Sequence, residues 1–585
     1  MTVRSFQWFG GTGDASVAGN WIDVTNDGLS SASGKPAAAD TVYINSGNLT
    51  GSATGDTYWI NNTATFTAVS FTATTLVQQN AGVLTFQPSG IFPSVLTTPV
   101  FAQQPGADLE LPTNTVLNAT GMLTSPTNGY LNSGYAIGTV NVTGGKLNAG
   151  GQFFIGNNNY SSAMTVSNAG TFNAWGADVS SGNNNAASLT VTGGGSVANV
   201  VGGPVSGSTN SGGSLLVGTN YPYETQTSGT ITVTNGASFY VAGSVSDGAN
   251  TAGNGTIVVN GGATFTNGAG GGFNIGGYGG QGLVSVSGLG HLVKTGYLAV
   301  GGGSGGGGTL SLGAAGTVTV VADGGNGGGL DIGGYAGPAP GTVILNGNGA
   351  LLDVSGSTGS ANIVVGTSGN GVLTVGQNST ARSSGGFLIG NQVNTSGTVT
   401  VSGSGALLAA TTGSGIFVGN NSTGTLTVSN GGTVTSDGQI AAGEFTGANG
   451  KIIVAGGTIA GGQDVDLAIS AGSSGALSIS SGTIGAAANL NIGAHGNGSL
   501  AMTGGTISAG MIYSADDAKA FASIDIAGGT LVSSSYLSFA TYGAALMTQE
   551  GGLVSLASGL DIATFSSGLG RVTMTGGTLA TSGQV

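Results

Sequence analysis

One phrase returns along this chain at a step of about 25 residues, and that period restricts the fold more than any other feature of the sequence. From about residue 138 the phrase is an alternating apolar strand, then Gly-Gly or Asn-Gly, then a second short strand. It reads GTVNVTGGKL at Gly138, SLTVTGGGSV at Ser188, GTLTVSNGGTV at Gly424 and SLAMTGGTI at Ser499. Between successive copies falls a second phrase, apolar-x-apolar-Gly: FFIG at Phe153, LLVG at Leu215, IVVG at Ile363, FLIG at Phe387 and IFVG at Ile416. The last apolar residues before the turn, Val375, Val401, Val428, Val454, Ile479, Met502 and Ile526, mark the step. Each step holds three short strands, whose alternation sends apolar residues inward and Thr, Ser or Asn outward. A single step cannot bury its inner face alone, so neighbouring steps must stack.

Tandem immunoglobulin-like domains would repeat at roughly 100 residues. The shorter period predicts an all-β chain: a three-sided, right-handed parallel β-solenoid of about 25 residues per coil, with each strand paired to its equivalent in the next coil. The span from Gly138 to Val585 then holds roughly 18 coils. Glycine supplies 120 of 585 residues and proline only 11, with no three-residue period, so collagen is excluded. With 39% hydrophobic residues the chain can bury a core, and the glycines belong to tight corners that leave no room for a Cβ. Residues 1–137 lack the rhythm and hold Trp8, Trp21, Trp59 and seven of the 11 prolines. They read as a β-rich N-terminal cap on a solenoid over 138–585, which continues past its last residue or meets another chain there. Two stretched intervals, near residues 200–230 and 322–342, read as loops leaving the coils.

Charge narrows the partners. Only 5% of residues are charged, and 8 basic against 22 acidic side chains give a net charge of -14 with no basic cluster. Nucleic acid and anionic membranes are therefore not expected partners. The absence of cysteine excludes a disulfide scaffold, thiolate metal sites and thiol catalysis. No apolar run approaches the roughly 20 residues of a spanning helix, and the opening MTVRSFQWFGG has no signal-peptide core.

Catalytic constellations are sought and not found. Asp464 and Asp466 share a strand face, and Asp516 and Asp517 sit together, but all four read as solvated surface carboxylates. Asp331 and Asp561 take the outward x of LDIG and LDIA, where sister coils carry Asn274 and Asn491. His291 and His495 lie in apparent turns too many coils apart to share a metal. The run Gly301–Gly308 has no helix after it, which fails the condition for a nucleotide loop, and GGNGGGLDIGG is not a calcium repeat. The expectation is therefore no catalytic residue, no cofactor and no metal.

The segments FQWFGGTGDASVAGNW and GKPAAADTVYI resemble the start of many large bacterial surface proteins, and the GTLTVSNGGTV and LNIG phrases resemble repeats of autotransporter-type passenger domains and β-helical adhesins. The resemblance implies an extracellular or cell-surface, non-enzymatic protein that serves as a fibre, stalk or surface-layer unit, with no membrane span in this chain. The competing implication is a carbohydrate-active β-helix enzyme or a tailspike-like polysaccharide-binding protein.

The x position of the second phrase points outward, yet in five coils it is large and apolar: Phe154, Leu216, Val364, Leu388 and Phe417. In-register stacking would align them into an exposed stripe, a face for self-association or for a cell-surface ligand.

Overall fold

In the computed structural model the chain is a parallel β-solenoid of about 16 turns with roughly 26 residues per turn, all β and with no α-helix among the described residues. The described residues are 138–583 apart from short segments (158–160, 182–184, 203–212, 220–225, 249–251, 270, 278, 304, 324–328, 335–336 and 357–360), and before residue 138 mainly the strands, with few of their side chains. The turns are fewer and longer than the marker step implies because some take in a long stretch of chain, as where Leu189 pairs directly with Ile231. Much of both intervals expected to be loops lies outside the described residues, but each contains a regular strand, Leu215–Thr219 in one and Gly329–Ile332 in the other.

The chain divides into two compact units, Met1–Ser285 with Leu289–Val293, and Val286–Gly288 with Lys294–Val585. In the second unit one turn shows how sequence makes the coil. It runs through a third-sheet strand Ile416–Val418, a first-sheet strand Thr423–Ser429 and a second-sheet strand Thr433–Ser436. Each pairs in parallel with its equivalent one turn on, at Ile440–Ala442 and within Asn449–Gly461. In Thr423–Ser429 the period-2 pattern buries Leu426 and Val428 and leaves Thr425 and Thr427 half-buried outside. Threonine and valine suit this pleated surface because their branched Cβ packs against the neighbours above and below. Each fully buried aliphatic side chain contributes about 1.5–3 kcal/mol.

The marker residues form one inward ladder. Val375, Val401, Val428, Val454, Ile479, Met502 and Ile526 are successive Cα partners, each buried.

The corner between the third and first sheets explains two glycines per turn. Gly419 lies in the left-handed region at φ 66°, and a Cβ on Gly424 would meet the Gly419 nitrogen at 2.0 Å. The first position needs conformational freedom and the second needs space.

In the first unit, parallel pairing begins with Ser5–Trp8 against Thr41–Ile44 and joins strands on either side of the 137 boundary. Asp108–Pro112 pairs with Thr139–Thr143, and Thr115–Ala119 with Lys146–Asn157. Coil topology therefore starts well before the boundary that the phrase suggests, in residues that form ladders without repeating its glycines. Two places depart from coil topology: Ser5–Trp8 also runs antiparallel to Trp21–Asp23, which runs antiparallel to Ser30–Ser31, and Leu123–Thr124 runs antiparallel to Leu131–Ala136. Trp8 and Trp21 are cross-strand partners, both buried, with ring centroids 4.8 Å apart edge to face. Further along, the interior carries phenylalanines, with Phe239 stacked on its ladder partner Phe265 at 5.1 Å.

Candidate functional site

Stacking in register turns each x position of the third sheet into a row. In the second unit the row runs Asp331, Val364, Leu388, Phe417, Ala441, Asp466 and on to Asn491 and Tyr513, each the Cα partner of the next. Val364, Leu388 and Phe417 are thus brought together on consecutive turns. In the first unit Phe154 and Leu216 are not, because Asp178 pairs with both and stands between them. Asp178 is buried and accepts a hydrogen bond from the Thr219 hydroxyl at 2.8 Å.

The five apolar residues are less open than an outward position implies. Phe154 and Val364 are buried, 7% and 8% exposed, and Leu216, Leu388 and Phe417 are half-buried. Strands about 4.8 Å apart bring each side chain against its partners above and below, so the row is a packed seam with only its outer edge in solvent. Phe417 also lies over Gly415, where an added Cβ would stand 3.0 Å from the ring.

Carboxyls bound the seam on both sides. Asp331 is 8% exposed, and the Tyr297 hydroxyl donates to its Oδ2 at 2.7 Å. Burial pushes it up to about 6, against the lowering effect of that hydrogen bond. Asp466 is 7% exposed and accepts from the Asn491 amide, and burial pushes it too up to about 6. Asp466 is not the solvated surface carboxylate that the sequence suggests, and Asp331, expected at an outward position, is buried as well; the short third strand packs the x side chain between ladder neighbours. Asp561, at the equivalent position, is exposed.

Around Asp466 the fold gathers groups that are remote in sequence. Glu444, on the corner after Gly443, is pushed up by burial and then by the Asp466 charge. Asp464 accepts a hydrogen bond from the Asn489 backbone N–H at 2.8 Å. On the corner, His495 Nδ1 lies 3.7 Å from Asp517 Oδ2. The Tyr513 and Tyr536 hydroxyls are 3.1 Å apart, and that hydrogen bond pushes Tyr513 up to about 12. His291, read as a turn residue, instead opens the strand His291–Thr295 and is half-buried. Glu444, Tyr513 and Tyr536 escape a reading of local motifs. Only alignment of the corners turn by turn places Glu444 beside Asp466. Among the described residues no group of three or more His, Asp or Glu converges as a metal would require.

The face therefore combines an apolar seam, two carboxyls that burial raises to about 6 and a patch of acid and phenol groups. Among the described residues no helix is long and apolar enough to cross a membrane. The sequence matches no protein-family profile and no curated protein, and of the resemblance the structure supports the β-helical fold alone.

Proposed function

We propose that this chain is a structural or adhesive solenoid of the bacterial cell surface or exterior, assembling with further copies of itself through the outer face of the third sheet. The observation that carries the proposal is the continuous seam Val364–Leu388–Phe417, in which Leu388 and Phe417 keep a solvent-facing edge. Two copies meeting along such seams would bury apolar edges and protonate or bridge the flanking carboxyls. Sedimentation velocity of the native chain and of the Leu388→Ser, Phe417→Ser double variant tests this. Concentration-dependent oligomers in the first and monomers in the second, with similar melting temperatures, support it. Monomers in both, or assembly unchanged by the substitutions, reject it.

A second reading, a carbohydrate-active enzyme, is favoured by the Asp466 patch, where a carboxyl raised to about 6 sits beside Glu444. Neighbouring carboxyls with raised proton affinity are candidate equipment for acid-base hydrolysis. Release of reducing ends from polysaccharide that disappears in Asp466→Asn would establish this reading; release unaffected by that change would place the activity elsewhere.

A further inference from the structure

The second sheet of the first unit carries a feature that neither phrase of the sequence announces. Asn118, Asn148, Asn173 and Asn199 are successive Cα partners on its outer face. Their side chains form a continuous amide ladder: Asn148 donates to Asn118 at 2.8 Å, Asn173 to Asn148 at 2.7 Å and Asn199 to Asn173 at 2.8 Å. A side-chain amide has two N–H donors and two acceptor lone pairs. Asn148 and Asn173 each spend one donor and one acceptor within the ladder, which leaves one of each to face outward.

Those two residues line a surface cleft of about 330 Å³ together with Ala149, Gly150, Ala174, Trp175 and Val201. Trp175 is half-buried, and Val201 is 49% exposed. One turn beyond Asn199 the ladder position is taken by Tyr240, 37% exposed. The face thus presents an indole, a row of amide donor-acceptor pairs and a phenol, with no charged side chain among the cleft residues. The cleft is open to solvent and combines an apolar lining with a few placed polar groups.

From this we infer that the cleft binds a neutral polysaccharide chain, lying along the coil axis across Asn148 and Asn173 with one sugar ring on Trp175. Sugar rings offer an apolar C–H face to an aromatic ring and hydroxyls that both donate and accept. Amides supply that same two-way hydrogen bonding, whereas a carboxylate or ammonium supplies only one direction. Their repeat of about 4.8 Å per turn lets successive amides serve a chain rather than one ring. Tyr240 stands about two turns, roughly 10 Å, past Asn173, where a further sugar would reach it. An acidic polysaccharide is disfavoured by the chain's net charge of -14.

The test is isothermal titration of the full chain with cellohexaose, laminarihexaose and β-1,4-galactohexaose, beside an alginate hexamer as acidic control. Binding of at least one neutral oligosaccharide, weakened tenfold or more by Trp175→Ala and several-fold by Tyr240→Ala, with the alginate unbound, supports the inference. If Trp175→Ala lowers the melting temperature, Trp175→Phe keeps a ring in place and is expected to bind with intermediate affinity. No binding to any neutral hexamer, binding indifferent to both aromatic substitutions, or a change of oligomeric state in Trp175→Ala without any glycan response each overturns it. The last would assign the cleft to a contact between copies.

Discussion

The Tyr297 hydroxyl donates to Asp331 one turn along the third sheet, at 2.7 Å, and this bond does not keep the carboxyl in its ordinary range. Desolvation outweighs it and raises the group from 3.8 to about 6. A carboxyl with a raised folded-state pKa stabilises the fold fully at low pH. As pH rises from about 4 to 6 the unfolded chain releases its proton first, and stability falls. The loss at neutral pH is on the order of 3 kcal/mol for Asp331. Asp466 should act in the same direction. Asp331→Asn keeps an acceptor for Tyr297 and cannot ionise, and the equivalent place in other turns already holds Asn274 or Asn491. Thermal melts should show the variant gaining over the native chain at pH 8 and gaining little at pH 3; a difference independent of pH would contradict the assignment.

Four turns place alanine in the left-handed corner position that glycine holds elsewhere: Ala468, Ala515, Ala540 and Ala563, at φ 59°, 49°, 57° and 55°. A Cβ in this region costs roughly 1–2 kcal/mol, and glycine returns part of that through the greater freedom of its unfolded chain. Ala468→Gly and Ala540→Gly are each expected to stabilise by up to about 1 kcal/mol. The reverse change, Gly419→Ala, should destabilise by more, because its Cβ would stand 2.5 Å from the Asn449 carbonyl. Denaturant midpoints of the three variants measure this directly.

These corners also show where sequence reading succeeds and fails. The inward ladder from Val375 to Ile526 is legible because its signal is local, an alternation closed by a glycine turn, and stacking merely repeats it. The burial of Asp331 and Asp466 is not legible. Exposure at an outward position depends on strand length and on the neighbours one turn away, and third-sheet strands such as Val465–Leu467 are only three residues long. The asparagine ladder hides for the same reason. KLNAG, TFNAW and VANV look unrelated until register sets Asn148, Asn173 and Asn199 in line. The apolar stripe is half legible: three of its five residues meet, and Asp178 separates the other two.

Gln549 takes the seat of the marker ladder after Ile526 and is fully buried there. Its amide nitrogen reaches the Thr578 carbonyl at 3.0 Å, while its Oε1 has no hydrogen-bond partner. A buried acceptor left unsatisfied costs about 1–3 kcal/mol. Methionine has similar length and no such demand, so Gln549→Met is expected to raise stability by about 1–2 kcal/mol. A fall in the urea midpoint would mean that the bond to Thr578 matters more than the stranded oxygen.

Asp247 raises the same question with a charge. It is fully buried at an inward position of the third sheet, between Val217 and Ile275 as ladder partners. Burial drives its carboxyl well above the ordinary range, and the Leu283 backbone N–H opposes this only in part. The group therefore folds in its neutral form, and the cost of holding a proton there grows as pH rises above the unfolded carboxylate pKa. Isoleucine would match its neighbours on the ladder. It would also press on Gly255, where an added Cβ would lie 2.1 Å from the Asp247 Oδ1, so the smaller Asp247→Val is the better probe. Valine should stabilise the fold at pH 8 by about 1–3 kcal/mol and by much less at pH 4. An equal effect at both values would show packing rather than ionisation at work. A loss of stability at both would show that the protonated carboxyl makes a bond the core depends on.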